Sequence, residues 1–402
     1  YSPGCVTSAT EAANRPLPGA LRNKMFHVQQ GVIGMTSRRT FLAAAASVAA
    51  ATTLTPATAS AQARPAPLPT NRKGGRFKPA GRFGIGGTQV GSNHFETSPD
   101  QATGILQAAW DEGVRYFDTS PWYGLGLSER RFGTFFDDKP RDAFTLSTKV
   151  GRVLIPDAKV AGTKVGNWAQ VPPMRHEYDY SADGVRQSIE QSLQRLGMAL
   201  LDIVFVHDLS PDNKDMGDRW TDYFEQARTG AFPELTRMRE EGIIKAWGMG
   251  VNTLPPALRA FEVADPDILL QATQYSIVKH ADALNQLMPA VQRRGASVVI
   301  GAPLNDGFLA GGERFNYSKV PPEMRAKRAR IAALAQEHGT DLRTAALHFA
   351  MAHPSVSAII PGARSATQAV QNADSIRKRV PAEFWAALRR ERLIEANAPV
   401  PA

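Results

Sequence analysis

The chain has 402 residues, 43% of them hydrophobic, enough for one large α/β barrel with additional segments. Its formal net charge of +9 sits at the front: residues 1–63 hold five Lys/Arg and one acid, residues 64–80 hold five Lys/Arg and no acid, and 37 bases balance 37 acids from residue 81 onward, which excludes a basic nucleic-acid face on the folded part. The single cysteine, Cys5, precedes every segment expected in the mature protein and so excludes a disulfide, a thiolate nucleophile or a cysteine metal site there.

Residues 1–34 fit neither a signal nor a domain, and are expected to lie upstream of a start at Met35. Residues 35–63 read as a signal peptide. Ser37-Arg38-Arg39-Thr40-Phe41-Leu42 leads into the alanine-rich run Phe41–Thr55, too short to span a bilayer, and the small-residue sites Ala59-Ser60-Ala61 and Ala61-Gln62-Ala63 follow. The paired arginines resemble a twin-arginine export signal, which implies an exported protein, the twin-arginine machinery as a partner, and no stable membrane insertion after processing. Residues 64–80, RPAPLPTNRKGGRFKPA, read as a Pro-rich basic linker.

From residue 81 onward, short apolar runs alternate with helical patterns. Strands are expected at Arg82–Ile85, Tyr116–Asp118, Ala143–Thr148, Asp202–Val206, Ala246–Met249, Ile268–Thr273, Ser297–Ile300 and Ser357–Ile360. Helices are expected at Gln101–Glu112, Ala182–Arg195, Ala283–Arg293, Glu323–Glu337 and Arg343–Met351. Eight strands in this alternation predict a single α/β domain over residues 81–402, a (β/α)8 TIM barrel. Gly151–Tyr180 breaks the rhythm as a long stretch without a regular pattern, rich in aromatics. It reads either as an overhang that shapes a pocket at the barrel mouth or as a surface excursion with its aromatics packed on the barrel.

Four residues follow strand-like runs where such barrels place their chemistry: Asp118 and Tyr123 in FDTSPWYG, Lys149 in FTLSTKV and His207 in IVFVHD. Taken singly, each has a bland reading: a cap, a packed aromatic, a surface charge, a core histidine. Taken together they suit proton transfer to or from a carbonyl or alcohol. A free phenol, with a pKa near 10, exchanges its proton poorly at neutral pH. An ammonium beside it favours phenolate, so Lys149 is expected to lower Tyr123, with Asp118 holding Lys149 in place and His207 donating to a substrate oxygen.

The segments DTSPWYGLGLSE, TKVGR, DYSADGVRQSIEQSLQRLGMALLDIVFVHD and IIPGARSATQAVQN resemble the aldo-keto reductase family, and the likeness runs over nearly all of residues 82–374. The DYSADG wording and the HDLSP continuation are most similar to the branch containing D-threo-aldose and L-fucose 1-dehydrogenases and pyridoxal 4-dehydrogenase. The resemblance implies an enzyme that moves hydride between NAD or NADP and a sugar or aldehyde substrate. It assigns Tyr123 as general acid/base, tuned by Lys149 and Asp118, with His207 orienting the substrate. Trp122, beside Tyr123, and Trp168 are the candidates for contact with substrate.

This family binds its dinucleotide at the barrel mouth, so GIGG near Ile85 is not a phosphate fingerprint; it lacks the strand-turn-helix setting. Gly362, Ala363 and Arg364 follow the last strand and open a helix, a place for the cofactor phosphates. Gln368 and Asn372 match positions at the adenosine end in relatives. Asn252, in WGMGVN, stands in for a Ser-Asn pair that holds the nicotinamide carboxamide in many relatives. Gly301 falls near the place of a tyrosine that stacks on nicotinamide, and Gln368 replaces a basic residue that often reads the 2′-phosphate, which tilts the choice toward NAD. His348 and His353 are five apart and no H-E-x-x-H occurs, so no metal is assigned. The alternatives to an aldose dehydrogenase are a nicotinamide-binding barrel serving as redox sensor or partner subunit, and a general aldehyde reductase.

Overall fold

Eight parallel strands lie in the order β1 (Ile85–Gly86), β2 (Tyr116–Asp118), β3 (Thr145–Val150), β4 (Ile203–His207), β5 (Ala246–Val251), β6 (Ile268–Ala272), β7 (Ser297–Gly301) and β8 (Val356–Ile360). The computed structural model describes residues 65–401; the upstream stretch 1–34 and the signal peptide 35–63 lie outside the described residues. The ring closes where Gly84 N–H donates to Ile359 O at 2.9 Å and Ile359 N–H to Arg82 O at 3.0 Å. This is the expected (β/α)8 barrel, with the expected strands placed within a few residues. Among the described residues, no helix is long and apolar enough to cross a membrane.

Strands β3 to β8 are buried along their whole length, because helices cover them outside and their own side chains fill the inside. Tyr116, Ile203, Phe205, Ile268, Val299 and Ile360 pack inside the ring. Caps set the helix starts: Ser98 and Gln101 form a capping box for Pro99–Asp111, and the Ser181 side chain accepts from Gly184 N–H to open Ala182–Leu196. The helix expected at Ala283–Arg293 begins instead as a π-helical turn, Ala283–Leu287, before the α-helix Met288–Arg293. Pro289 has no N–H for the carbonyl one turn back, so the regular ladder is interrupted there.

Two stretches depart from expectation. The stretch read as a linker is docked on the barrel base: Arg82 N–H donates to Pro69 O at 2.8 Å and the Asn71 amide to Ser357 O at 2.7 Å. Arg76 pairs with Asp265 at 2.6 Å and Asp267 at 3.1 Å, and Phe77 packs against the interior cluster. Its prolines exclude regular structure without excluding packing. The second stretch, 151–180, contains an antiparallel hairpin, Arg152–Pro156 against Met174–Tyr178. The tip of this excursion joins the segment after β1, with His94 N–H donating to Asn167 O at 2.7 Å and Ala169 N–H to Ser92 O at 3.0 Å.

Close approach of strands constrains β5. A Cβ at Gly248 would lie 1.8 Å from Ile268 O, backbone that belongs to the neighbouring strand. Gly248→Ala should therefore cost about 3 kcal/mol or more, the upper end for overpacking, read from the midpoint of urea unfolding. An unchanged midpoint would show that β5 and β6 separate there without penalty.

Candidate active site

Four side chains from β2, the turn after it, β3 and β4 converge at the C-terminal mouth. Asp118 ends β2 and Lys149 sits near the end of β3, and both are about 1% exposed. Lys149 Nζ donates to Asp118 Oδ2 at 2.7 Å and to Thr119 O at 2.7 Å, while Ser147 Oγ donates to Asp118 Oδ1 at 2.7 Å. Both carboxylate oxygens are thereby bonded, which a buried ion pair requires. The ammonium lies 4.4 Å from the centre of the Tyr123 ring, and the Tyr123 and His207 rings stand nearly perpendicular at 5.8 Å. The sequence-predicted quartet is thus one cluster.

The electrostatics differ from the expectation that Lys149 lowers Tyr123. Burial first, then the Asp118 and Asp208 carboxylates, push the Tyr123 phenol well above its ordinary 10.0, and only Arg152 opposes them. Asp118, at hydrogen-bond distance from the Lys149 ammonium, acts on the phenol in the opposite sense to it. Burial, then the Arg152 and Lys149 cations, hold His207 well below its ordinary 6.5. Both groups are therefore neutral near pH 7, a phenol donor beside a neutral imidazole.

A cavity of about 420 Å³ opens beside this cluster, with Asp118 and Tyr123 in its wall at one end. Gly362, Arg364, Gln368 and Asn372 also line it, at the start of the helix Ala366–Arg377, which Ser365 caps by accepting from Gln368 N–H. Arg343 lines the cavity too; its Nη1 donates to Gln371 Oε1 at 2.6 Å, and its Nε is buried without a partner. An elongated anionic dinucleotide fits this donor set. Such a group would have its reacting end at Tyr123, and Arg364, Arg343 and the helix start would hold its phosphates. Gln368 Oε1 presently covers Arg364 N–H at 2.8 Å, so an anion seeking that N–H displaces the amide.

Other residues singled out in the sequence lie outside the cavity lining. Asn252 does not line the cavity; its Nδ2 donates to Asp212 Oδ2 at 3.0 Å and its carbonyl accepts from Gln274 Nε2 at 2.6 Å, so the loop after β5 holds it to one side. Ala363 is buried in the core. Trp122 and Trp168 stand behind Tyr123 and outside the cavity lining, Trp168 5.5 Å from the Tyr123 ring and Trp122 5.9 Å from Trp168. At Gly301, which lines the cavity, a Cβ would meet Leu270 and Ala272 at 3.0 and 3.1 Å, so a side chain there requires those neighbours to give by a few tenths of an ångström.

Arg152 was missed. It opens the hairpin after β3, is 3% exposed, and touches His207 Nδ1 at 3.3 Å, Asp208 Oδ2 at 3.0 Å and Tyr178 Oη at 3.3 Å. Its only signal in the sequence was its place three residues beyond Lys149. Tyr180, whose hydroxyl donates to His207 O at 2.7 Å, belongs to the same stretch.

The chain belongs to the aldo/keto reductase family, whose model matches residues 82–391, and its cofactor is accordingly NAD(H) or NADP(H). It is 36% identical over 320 residues to a D-threo-aldose 1-dehydrogenase of a Pseudomonas species, covering 78% of this chain and 94% of that protein. It is 36% identical over 325 residues to a pyridoxal 4-dehydrogenase of Microbacterium luteolum, again covering 78% and 94%. Among solved structures, a holo-form aldo-keto reductase from Bacillus halodurans superposes with a TM-score of 0.58 at 21% identity, covering 79% of this chain and 93% of that one. A glycerol dehydrogenase from Gluconobacter oxydans gives the same score and identity over 80% and 95%. These two support the barrel alone.

The protonation states dictate a pH dependence. With Tyr123 as the proton donor expected from the sequence, kcat/KM for carbonyl reduction should stay level from pH 7 to 9, below the raised phenol value and above the lowered imidazole value. Oxidation needs phenolate and should rise with pH over the same window. Rate profiles measured in both directions check this, and a reduction rate that falls between pH 7 and 9 would contradict a raised Tyr123.

Proposed function

We propose that the protein is an exported NAD(P)-dependent dehydrogenase that oxidises an aldose at C1 to its lactone, or interconverts a related aldehyde and alcohol. The observation that carries this reading is Tyr123 in the cavity wall, beside His207 and over the buried Asp118–Lys149 pair. The 36% identity with an aldose 1-dehydrogenase over 94% of its length supports the substrate class. So does the polar character of the wall around Tyr123, where Gln89, Asn93, Asp306 and Tyr317 offer partners to hydroxyl groups.

Bound nicotinamide supplies or accepts the hydride. The chain's own part is the proton. In reduction, Tyr123 Oη gives its proton to the substrate oxygen as charge builds there, and His207 donates a second hydrogen bond to the same oxygen. In oxidation, the substrate hydroxyl gives its proton to the Tyr123 phenolate. Lys149 and Asp118 keep the site rigid and nearly neutral in net charge. Arg343, on the same wall as Gln368, puts a guanidinium near the expected adenosine end, so Gln368 by itself does not favour NAD over NADP.

A panel of aldoses, pyridoxal and small aldehydes, assayed with NAD and NADP in both directions, tests the activity. Tyr123→Phe should lower kcat about 100-fold or more while cofactor fluorescence reports nearly unchanged binding. Binding without turnover across the panel would favour a nicotinamide sensor.

Export is the second element of the proposal. A folded barrel with its cofactor enclosed suits a pathway that moves folded proteins, and Arg38-Arg39 supplies the address. Replacing Arg38 and Arg39 together by lysine preserves charge, yet precursor should remain in the cytoplasm. Fractionation with nicotinamide assayed in each pool decides it; equal export of the two forms would refute the twin-arginine reading.

A further inference from the structure

We propose that Arg152 is a positioning residue that sets His207 as a neutral imidazole with its proton on Nε2. The assignment rests on the reading of Tyr123 and His207 as the pair that faces the substrate oxygen. Its argument is a count of donors and acceptors. Guanidinium nitrogens only donate, so Arg152 Nη1, 3.3 Å from His207 Nδ1, requires a lone pair on Nδ1. Ser120 Oγ lies 3.0 Å from the same Nδ1 and accepts from Trp122 N–H at 3.1 Å, which leaves its own proton for the imidazole. Two donors aimed at Nδ1 leave the ring proton on Nε2, the nitrogen expected to donate to a substrate oxygen.

Charge adds a second constraint. The titratable and charged groups facing His207 are Tyr123 after β2, Lys149 on β3, Arg152 on the hairpin and Asp208 next in the chain; its partner on β5 is Gly250, which carries no side chain. Asp208 Oδ1 stands 3.5 Å from His207 Nε2 and would by itself draw a second proton onto the ring. Arg152 Nη2 pairs with Asp208 Oδ2 at 3.0 Å and cancels that pull. The guanidinium is held in place by the rings of Trp122 at 4.7 Å and Tyr178 at 5.0 Å. Its Nε is buried without a partner, so the orientation that serves His207 and Asp208 leaves one of its own donors unsatisfied.

The test is nuclear magnetic resonance of the ligand-free protein labelled with nitrogen-15 at histidine, the His207 signals being identified by their loss in His207→Asn. The wild type should show a neutral ring protonated on Nε2 throughout the range from about pH 5.5 to 8. Arg152→Gln keeps an N–H donor without charge; it should retain the tautomer, while His207 takes up a second proton at higher pH than in the wild type. Arg152→Met removes both donor and charge, and should give mixed tautomers together with the upward shift. Its kcat should fall about 10-fold or more, with cofactor binding unchanged. A wild-type ring protonated on Nδ1, or doubly protonated in that range, overturns the proposal without any variant, and so does a Gln variant that titrates like the wild type. Because the readout needs no substrate, a locked Nε2–H tautomer in a protein that turns over nothing would sink the dehydrogenase reading and leave this one standing.

Discussion

The site depends on one ion pair taken out of water. Asp118 and Lys149 meet at 2.7 Å inside the barrel with side chains 2% and 1% exposed. Burying either alone costs on the order of several kcal/mol, and mutual attraction offsets this only where the remaining lone pairs and protons are also bonded. Here Ser147 and Thr119 complete the set, one donor for the second carboxylate oxygen and one carbonyl for the ammonium. Those partners come from β3 and from the residue after β2, so the pair is satisfied only when the two strands are in register, Asp118 opposite Ser147. The chemistry and the strand alignment are one constraint.

Neutralising Lys149 in this way has a consequence for the groups above it. A lone ammonium 4.4 Å from a phenol ring would favour phenolate. Paired, it contributes little, and burial decides in favour of the phenol. A second pair, Arg152 with Asp208, repeats the arrangement on the far side of His207. Tyr123 and His207 are thereby flanked by two ion pairs and are themselves uncharged near neutral pH.

Much of this was legible in the residues. Strands buried on both sides read as apolar runs, and the quartet stood where those runs end, so the barrel and Asp118, Tyr123, Lys149 and His207 all followed from position. What escaped was whatever depended on distant backbone. In Arg152–Pro156 and Met174–Tyr178 the two halves of the hairpin are separated by a long excursion; the second alternates half-buried Met174, His176 and Tyr178 with exposed Arg175 and Glu177, but in the first Arg152, Val153 and Leu154 are all buried. The first half therefore lacks the alternation of a surface strand, and Arg152 went unnoticed with it. Asn252 was placed by likeness to relatives, yet its carbonyl and amide are taken by Gln274 and Asp212, partners 22 and 40 residues away that no local pattern names. The docked stretch 65–80 was misread for a related reason. Composition rich in proline and basic residues reports the absence of regular structure, whereas docking depends on Asp265, Asp267 and Ser357, far along the chain.

Specificity sits on the segments least visible to such reading. The wall around Tyr123 is built from the segment after β1 and the one after β7, and the excursion after β3 backs it through Trp168. The first and third are joined by backbone hydrogen bonds from His94 and Ala169, and the loop after β7 turns at Asn316 and Tyr317, both at positive φ, 49° and 66°. A tyrosine in that conformation is disfavoured by its Cβ and is kept only where surroundings hold it. Arg314 does so, donating to Tyr317 O at 2.9 Å while its Nε is anchored by Asp306 at 2.7 Å. With a glycine at position 301, Tyr317 is the aromatic ring that the β7 side brings to the cavity. The barrel therefore holds Asp118, Lys149, Tyr123 and His207 through short, buried contacts, and leaves much of the cavity wall beside them to loops whose shape is set by their contacts with one another.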